Sequence, residues 1–221
     1  MHKTTGAHAV QVAASHYNFQ TYADLPRWTS YWHQIAETLA LAPKTALIIG
    51  VGDNIAGTLL SAQGVRVYTL DFDKDLHPDF EGDVADADAL LGDRQFDVIL
   101  CCQVLEHLPH SRFEDILQQL ARHAGHVIIS LPCSAIQYKV ELKLPVVKTV
   151  TARIHIHKFF RKHVFDGQHY WEVGTRGHTV RSILKSMKKF FTVVRWYVAP
   201  HNPYHVFFIL RGACGKPAGI T

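Results

Sequence analysis

Three apolar runs of strand length, each ending in small or polar residues, constrain this chain of 221 residues more than any other feature. The first, Ala46-Leu47-Ile48-Ile49, breaks into Gly50-Val51-Gly52-Asp53-Asn54. The second, Val65 to Leu70, ends in Asp71-Phe72-Asp73. The third, Phe96-Asp97-Val98-Ile99-Leu100, ends in Cys101-Cys102-Gln103 and leads into Val104-Leu105-Glu106-His107-Leu108. Short runs rich in Val, Ile and Leu read as parallel strands buried on both faces. In an open α/β sheet, ligands bind at the carboxyl ends of the strands. The pattern therefore predicts a Rossmann-like, mostly parallel sheet with helices on both faces and a ligand site along one edge.

Residue types assign provisional roles at that edge. Gly50 and Gly52 let backbone approach a ligand closely, since no Cβ intervenes. A helix expected to start near Asn54 points its free N–H groups at the same ligand. Asp71 lies about 20 residues beyond the glycines, where an acid at the end of the second strand can accept from ribose hydroxyls. Gly82-Asp83-Val84, after a short third strand, adds a further element.

Together these residues resemble the class I S-adenosylmethionine-dependent methyltransferases over roughly Lys44 to Leu210. The resemblance implies a seven-stranded sheet closed by an antiparallel hairpin, and S-adenosylmethionine as cofactor. It places Gly50 and Gly52 under the methionine moiety, Asp71 on the ribose and Phe72 beside the adenine. Asp83 and Val84 match the adenine-edge contacts, and Gln103 faces the methionine and the reacting methyl. Cys102-Gln103-Val104-Leu105-Glu106-His107-Leu108-Pro109 is similar to the small-molecule subgroup often called methyltransferase type 11. Two positions depart from the family pattern. Ile48 stands where an acid usually precedes the glycines, and Asn54 replaces a third glycine. Asp53 is the local carboxylate that can compensate, while a cofactor-binding protein without catalysis is the alternative these departures raise. A nicotinamide oxidoreductase is disfavoured, because two strand-like runs, Phe190 to Val198 and Tyr204 to Leu210, close the chain as a hairpin rather than a parallel half.

Length and composition fit a single domain over 25–221, preceded by a segment 1–24 of weak periodicity that is expected to be mobile. Hydrophobic residues at 48% and charged residues at 19% are globular values. No apolar run approaches a membrane span, and the N-terminus lacks a signal-peptide core. Cys101, Cys102, Cys133 and Cys214 have no zinc-ligand spacing, and the adjacent pair argues against a disulfide framework, so a reducing cytoplasm is the expected setting. Helices are expected over Leu25 to Leu41, with Trp28, Tyr31, Trp32, Ile35, Ala36 and Leu39 on one face. Others are expected over Asn54 to Gln63, Ala85 to Leu91, Ser111 to His123 with Ser111 and Glu114 as a capping box, and His178 to Lys189. Val127 to Leu131 reads as the fifth strand.

Charge divides the chain. Residues 1–110 carry 6 Lys/Arg against 14 Asp/Glu, and residues 111–221 carry 17 against 5, netting −8 and +12 of the total +4. The acidic half holds the cofactor motifs, so the basic half is the expected substrate side, suited to an anionic or phosphate-bearing small-molecule acceptor. Its most irregular part, about 134–165, reads as an insertion that forms a lid or substrate wall. It holds a strand-like alternation (Val150, Ala152, Ile154, Ile156) and seven Lys/Arg against one Glu from Lys139 to Lys162. Such a segment also suits peripheral contact with an anionic membrane. Nucleic acid is not an expected partner, since no RNA-binding motif is present.

For chemistry, methyl transfer from a sulfonium depends on positioning the nucleophile, and an oxygen nucleophile gains from a base of near-neutral pKa. His169 and His107 are the candidate bases, with Glu172 beside them and O-methylation the expected outcome. Tyr170, Trp171, Arg153 and His205 are candidate substrate contacts. Glu106-His107 with a distant His169 also resembles the metal site of the small-RNA 2′-O-methyltransferases. Gln103 stands where that site has its first glutamate, which leaves Glu106, His107 and His169 as an alternative ligand set.

Overall fold

The computed structural model describes residues 14–20, 22–143, 150–158 and 160–212. Seven strands form one sheet: β1 (Thr45–Ile49), β2 (Arg66–Asp71), β3 (Phe80–Glu81), β4 (Phe96–Cys102), β5 (Ala124–Pro132), β8 (Phe191–Val198) and β9 (His205–Gly212). Their order is β3-β2-β1-β4-β5-β9-β8. The first five run parallel, and β9 is antiparallel to both β5 and β8. The expected closing hairpin is therefore present. A second, two-stranded sheet pairs β6 (Ala135–Leu142) with β7 (Val150–His157) inside the expected insertion.

Alternation along the central strands explains the double-sided burial. Leu47 and Ile49 of β1 enter one core cluster with Ile99 of β4 and Ile129 of β5. Ala46 and Ile48 enter the other with Leu100 and Ile128. Each Leu or Ile removed from water this way contributes about 1.5–3 kcal/mol. Helices α3 (Ala87–Leu91), α4 (Phe113–His123) and α5 (Val180–Met187) supply the first cluster. Helices α1 (Leu25–Leu39) and α2 (Ile55–Ala62) supply the second. Chain order steps from β1 to β2 on one side and to β4 on the other, so a crevice opens between the carboxyl ends of β1 and β4.

Two local expectations give way to tertiary context. On α1, Trp28 and Trp32 point outward, while Ser30, Tyr31, His33, Gln34, Glu37 and Thr38 are buried. The buried stripe is polar because it meets a cavity and the polar edge of β8, where Glu37 pairs with Arg195 and accepts from Tyr197 at 2.7 Å. Ser111 and Glu114 form no capping box. Residues 110–112 make a 3-10 turn instead, and Glu114 accepts from Lys189 Nζ at 2.7 Å and Ser186 Oγ at 2.8 Å. A cross-helix pair has replaced the local cap.

Candidate active site

A cavity of about 450 Å³ lies over the carboxyl ends of β1, β2 and β4. Its floor is the turn after β1. Gly50 (φ 81°) and Gly52 (φ 54°) occupy the left-handed region, which glycine enters without steric cost. A Cβ on Gly50 would meet Val104 Cγ2 at 2.6 Å, so the loop after β4 depends on that glycine. Asn54 also adopts a left-handed conformation (φ 54°) at the start of α2, and its side chain lies over Gly57, where a Cβ would fall 2.1 Å from Asn54 Oδ1. Gly57 thus gives Asn54 its room. The sequence offered a signal for this, a second small residue three positions on.

Asp71 joins two of these strand ends. Its Oδ2 accepts from Val51 N at 2.7 Å and its Oδ1 from Asp73 N at 2.9 Å. Burial raises its pKa, and the N–H groups of Asp73 and Val51 pull the other way. The carboxylate keeps acceptor capacity for a ligand. Asp53 is held by the Tyr31 hydroxyl of α1 and by Ile55 N at 3.2 Å. Phe72, half exposed, and the buried Val84 line the adjoining wall with Asp83, which accepts from Ala85 N at 2.8 Å. Gln103, with φ 58°, ends β4 and donates from Nε2 to Ser130 Oγ at 3.2 Å. All nine sequence-predicted cofactor positions therefore border one cavity.

The roof contains residues the sequence reading missed. Tyr17 sits 3.8 Å from where a Gly52 Cβ would be, and burial pushes its pKa up to about 12. Arg27 places its guanidinium 3.4 Å from the centre of the Tyr22 ring. Its Nη1 is buried without a partner at the cavity wall. A buried guanidinium nitrogen left unpaired is costly, and it fits a ligand that brings an anionic group. Arg27 carries no local signal in the sequence beyond its place on the helix expected over Leu25 to Leu41.

The opposite wall carries the histidines. Tyr170 N donates to Glu106 O at 2.8 Å, which ties the loop before α5 to the turn after β4. His107 and His169 meet with ring centres 5.0 Å apart. His107 Nδ1 bonds Gln168 O at 3.0 Å, and burial, aided by His169, lowers its pKa. His169 Nδ1 lies 3.3 Å from Glu172 Oε1. Burial opposes its protonation, but the bond to Glu172 and the carboxylates of Glu106 and Asp166 prevail, so its pKa is raised. Glu172 in turn accepts from Tyr204 at 2.6 Å and has His163 Nδ1 at 4.0 Å. Despite burial its carboxyl is lowered, by the hydrogen bonds from His169 and Tyr204. Glu106 is 0% exposed with both oxygens unpartnered, and burial pushes it up to about 8. Ligand atoms of Glu106, His107 and His169 lie within 4.8 Å of one another.

The four candidate substrate contacts separate. His205 lines the cavity, bonded through Nδ1 to Ser30 Oγ at 2.6 Å, and burial followed by Arg27 lowers it to about 3, which keeps it neutral. Tyr170 packs at a tilt against Phe165, outside the cavity lining. Trp171 is 1% exposed, donates to Leu108 O at 3.1 Å and packs on Phe113, so it is core. The spacing had placed it beside His169, but the indole turns into the core among His110, Phe113 and His178. Arg153 lies in β7, and its side chain is outside the described residues.

The model of the family described as methyltransferase domain matches residues 18–185. The chain belongs to the class I S-adenosylmethionine-dependent methyltransferases. Solved relatives share this fold at low identity. N-methyltransferase NodS from Bradyrhizobium japonicum, in complex with S-adenosylhomocysteine, has 10% identity and a TM-score of 0.59 over 89% of this chain and 93% of that one. An S-adenosylmethionine-dependent methyltransferase from Clostridium acetobutylicum has 11% identity and a TM-score of 0.56 over 92% and 98%. The glycopeptide N-methyltransferase MtfA, complexed with S-adenosylmethionine, has 13% identity and a TM-score of 0.55 over 83% and 93%. No curated protein sequence matches. Among the described residues, no helix of this methyltransferase is long and apolar enough to cross a membrane.

Proposed function

We propose that this methyltransferase moves the sulfonium methyl of S-adenosylmethionine to a hydroxyl of a small-molecule or sugar-containing acceptor, with His169 as general base. The carrying observation is that one cavity is bounded on one side by the glycine loop and Asp71, and on the other by a histidine held by a carboxylate. In this reading Gly50 and Gly52 pass under the methionine moiety, and Asp71 accepts from the ribose with its remaining lone pairs. Phe72 and the Asp83-Val84 edge take the adenine. Arg27 pairs with the methionine carboxylate, which would satisfy its orphaned Nη1.

The cofactor supplies an activated methyl, and the chain supplies position and a proton acceptor. Glu172 and Tyr204 fix Nδ1 of His169, which leaves Nε2 to take the proton of the acceptor hydroxyl. The oxygen–methyl bond forms as the sulfur–methyl bond breaks, and the charge left on His169 is stabilised by Glu172. The basic C-terminal half supports an anionic or phosphate-bearing acceptor. Calorimetric titration with S-adenosylmethionine and S-adenosylhomocysteine, with NAD as control, tests the cofactor half of the proposal. Micromolar binding of the first two and none of NAD is expected, and silence for all three sinks it. A tritium-transfer screen of hydroxylated and aminated acceptors tests the rest. Transfer to amines alone would replace oxygen with nitrogen as the target.

A second reading rests on Glu106. Two buried, unpartnered carboxylate oxygens beside two imidazoles suit a divalent cation that would bind the acceptor oxygen and lower its pKa. Manganese binding followed by electron paramagnetic resonance, lost in Glu106→Gln, is the expected result of that arrangement. Unchanged turnover in excess chelator, with no manganese bound, rules it out.

A further inference from the structure

Among the described residues, the β6–β7 hairpin pairs with no strand of the main sheet. Its register sets Ile136 opposite Ile156, Tyr138 opposite Ile154, Val140 opposite Ala152 and Leu142 opposite Val150. Residues directly opposite in an antiparallel pair share a face, and successive ones alternate. Ile136, Val140, Ile154 and Ile156 therefore share one apolar face of the ribbon. The described side chains of this face are uncovered: Val140 is 52% exposed and Ile154 55%, and Ile136 and Ile156 are also exposed. Just beyond β7, Phe160 is 68% and Val164 77% exposed, next to exposed Arg161 and Lys162. A lone two-stranded ribbon with a bare apolar face is marginal in water, so an occupant is expected.

Charge selects the occupant. From Lys139 to Lys162 the chain carries seven Lys/Arg and one Glu. Face-to-face packing of two copies would bring two such cationic segments together, which repels. An anionic bilayer takes apolar side chains into its interface and attracts the flanking cations. We propose that the β6–β7 hairpin and the 160–164 segment dock this methyltransferase onto an anionic lipid surface. The proposal goes beyond methyl transfer and does not depend on it. The base of the hairpin is nevertheless fixed beside the histidine wall, where Ser134 N donates to Val173 O at 2.8 Å.

Flotation of the full chain with phosphatidylcholine vesicles, with and without phosphatidylglycerol, tests this directly. Neither cofactor nor acceptor is needed, so a negative result leaves the methyl-transfer proposal standing. Binding to the anionic vesicles, weakened by salt, is expected. The double change Val140→Asn with Ile154→Asn is expected to weaken it about tenfold, with S-adenosylhomocysteine binding unchanged as the check on folding. Arg161→Ala with Lys162→Ala leaves the apolar face intact and should remove the preference for phosphatidylglycerol, which decides the matter if the first variant misfolds. Absence of wild-type flotation, or flotation indifferent to both variants, overturns the proposal. So does a wild-type dimer in sedimentation that Val140→Asn with Ile154→Asn converts to monomer, because the occupant would then be a second copy.

Discussion

The glycine-loop wall of the cavity and its histidine wall are built by different means. On the first, backbone conformation does most of the work: left-handed residues follow β1, and Asp71 gathers N–H groups from two loops. On the second, side chains from sequence-distant segments converge, with His107 after β4, His169 and Glu172 before α5, and Tyr204 before β9. In the proposed reading, the wall made of backbone takes the one shared ligand, the cofactor. A wall made of side chains can be revised residue by residue, which suits the variable partner, the acceptor.

The largest effect should come from Asp71→Ala, because Asp71 holds the loop and, in the proposed reading, the ribose as well. Losing charge-assisted bonds on both sides is expected to weaken S-adenosylhomocysteine binding about 100-fold. Calorimetry measures it, and an unchanged affinity would show that the loop holds its shape without the carboxylate, breaking the contrast between the walls. Glu172→Gln probes the other wall. It removes the charge that orients His169 but keeps the shape, so kcat is expected to fall by about 10²-fold while S-adenosylhomocysteine affinity stays constant. A fall in cofactor affinity of similar size would mean that the two walls are not separable.

How much of this was legible in the sequence follows the same division. The strand ends, the sheet, the closing hairpin and the residues that line the cavity at those strand ends could be read because buried parallel strands and glycine turns have local patterns. Ile48 lines the cavity with no carboxylate, and the compensating contacts come from elsewhere: Asp53 is oriented by Tyr31 of α1, and Arg27 arrives from the same helix. Neither has a local pattern: the Tyr31–Asp53 bond spans 22 residues, and both depend on how α1 lies over the sheet. Trp171 and His169 differ by two positions, yet one is core and the other faces the cavity, a distinction set by the packing of His110, Phe113 and His178 around the indole. The polar stripe of α1 escaped for the same reason: hydrophobicity marks which face meets a core, and says little about a face that meets a polar cavity.

Arg27 offers a sharper test of which part of the cofactor meets the roof. Arg27→Met keeps the stem over Tyr22 and removes the charge. Affinity for S-adenosylmethionine is expected to fall about tenfold. Affinity for methylthioadenosine, which lacks the amino-acid carboxylate, should change little. Equal losses for both compounds would place Arg27 as a support for Tyr22 rather than a ligand contact.

The smallest expected effect lies behind the histidine wall, in the cluster that holds Trp171. His110 and His178 sit with ring centres 4.4 Å apart, and His110 Nε2 and His178 Nδ1 are buried without partners. Burial lowers His178 from 6.5 to about 4, helped by His110 and His163, and burial likewise lowers His110. A folded-state pKa below the unfolded value means that the fold prefers the neutral ring. That contribution to stability is complete above 6.5 and is lost as the pH falls from there toward 4. His178→Phe removes the titrating group while keeping an aromatic against Trp171. Calorimetric melting should show the wild type losing a few degrees more than the variant over this acid range. Parallel curves for the two proteins would mean that His110, or solvent reaching the pair, carries the proton instead. The pH response of the acceptor side would then rest on the wall itself and not on the core that braces it.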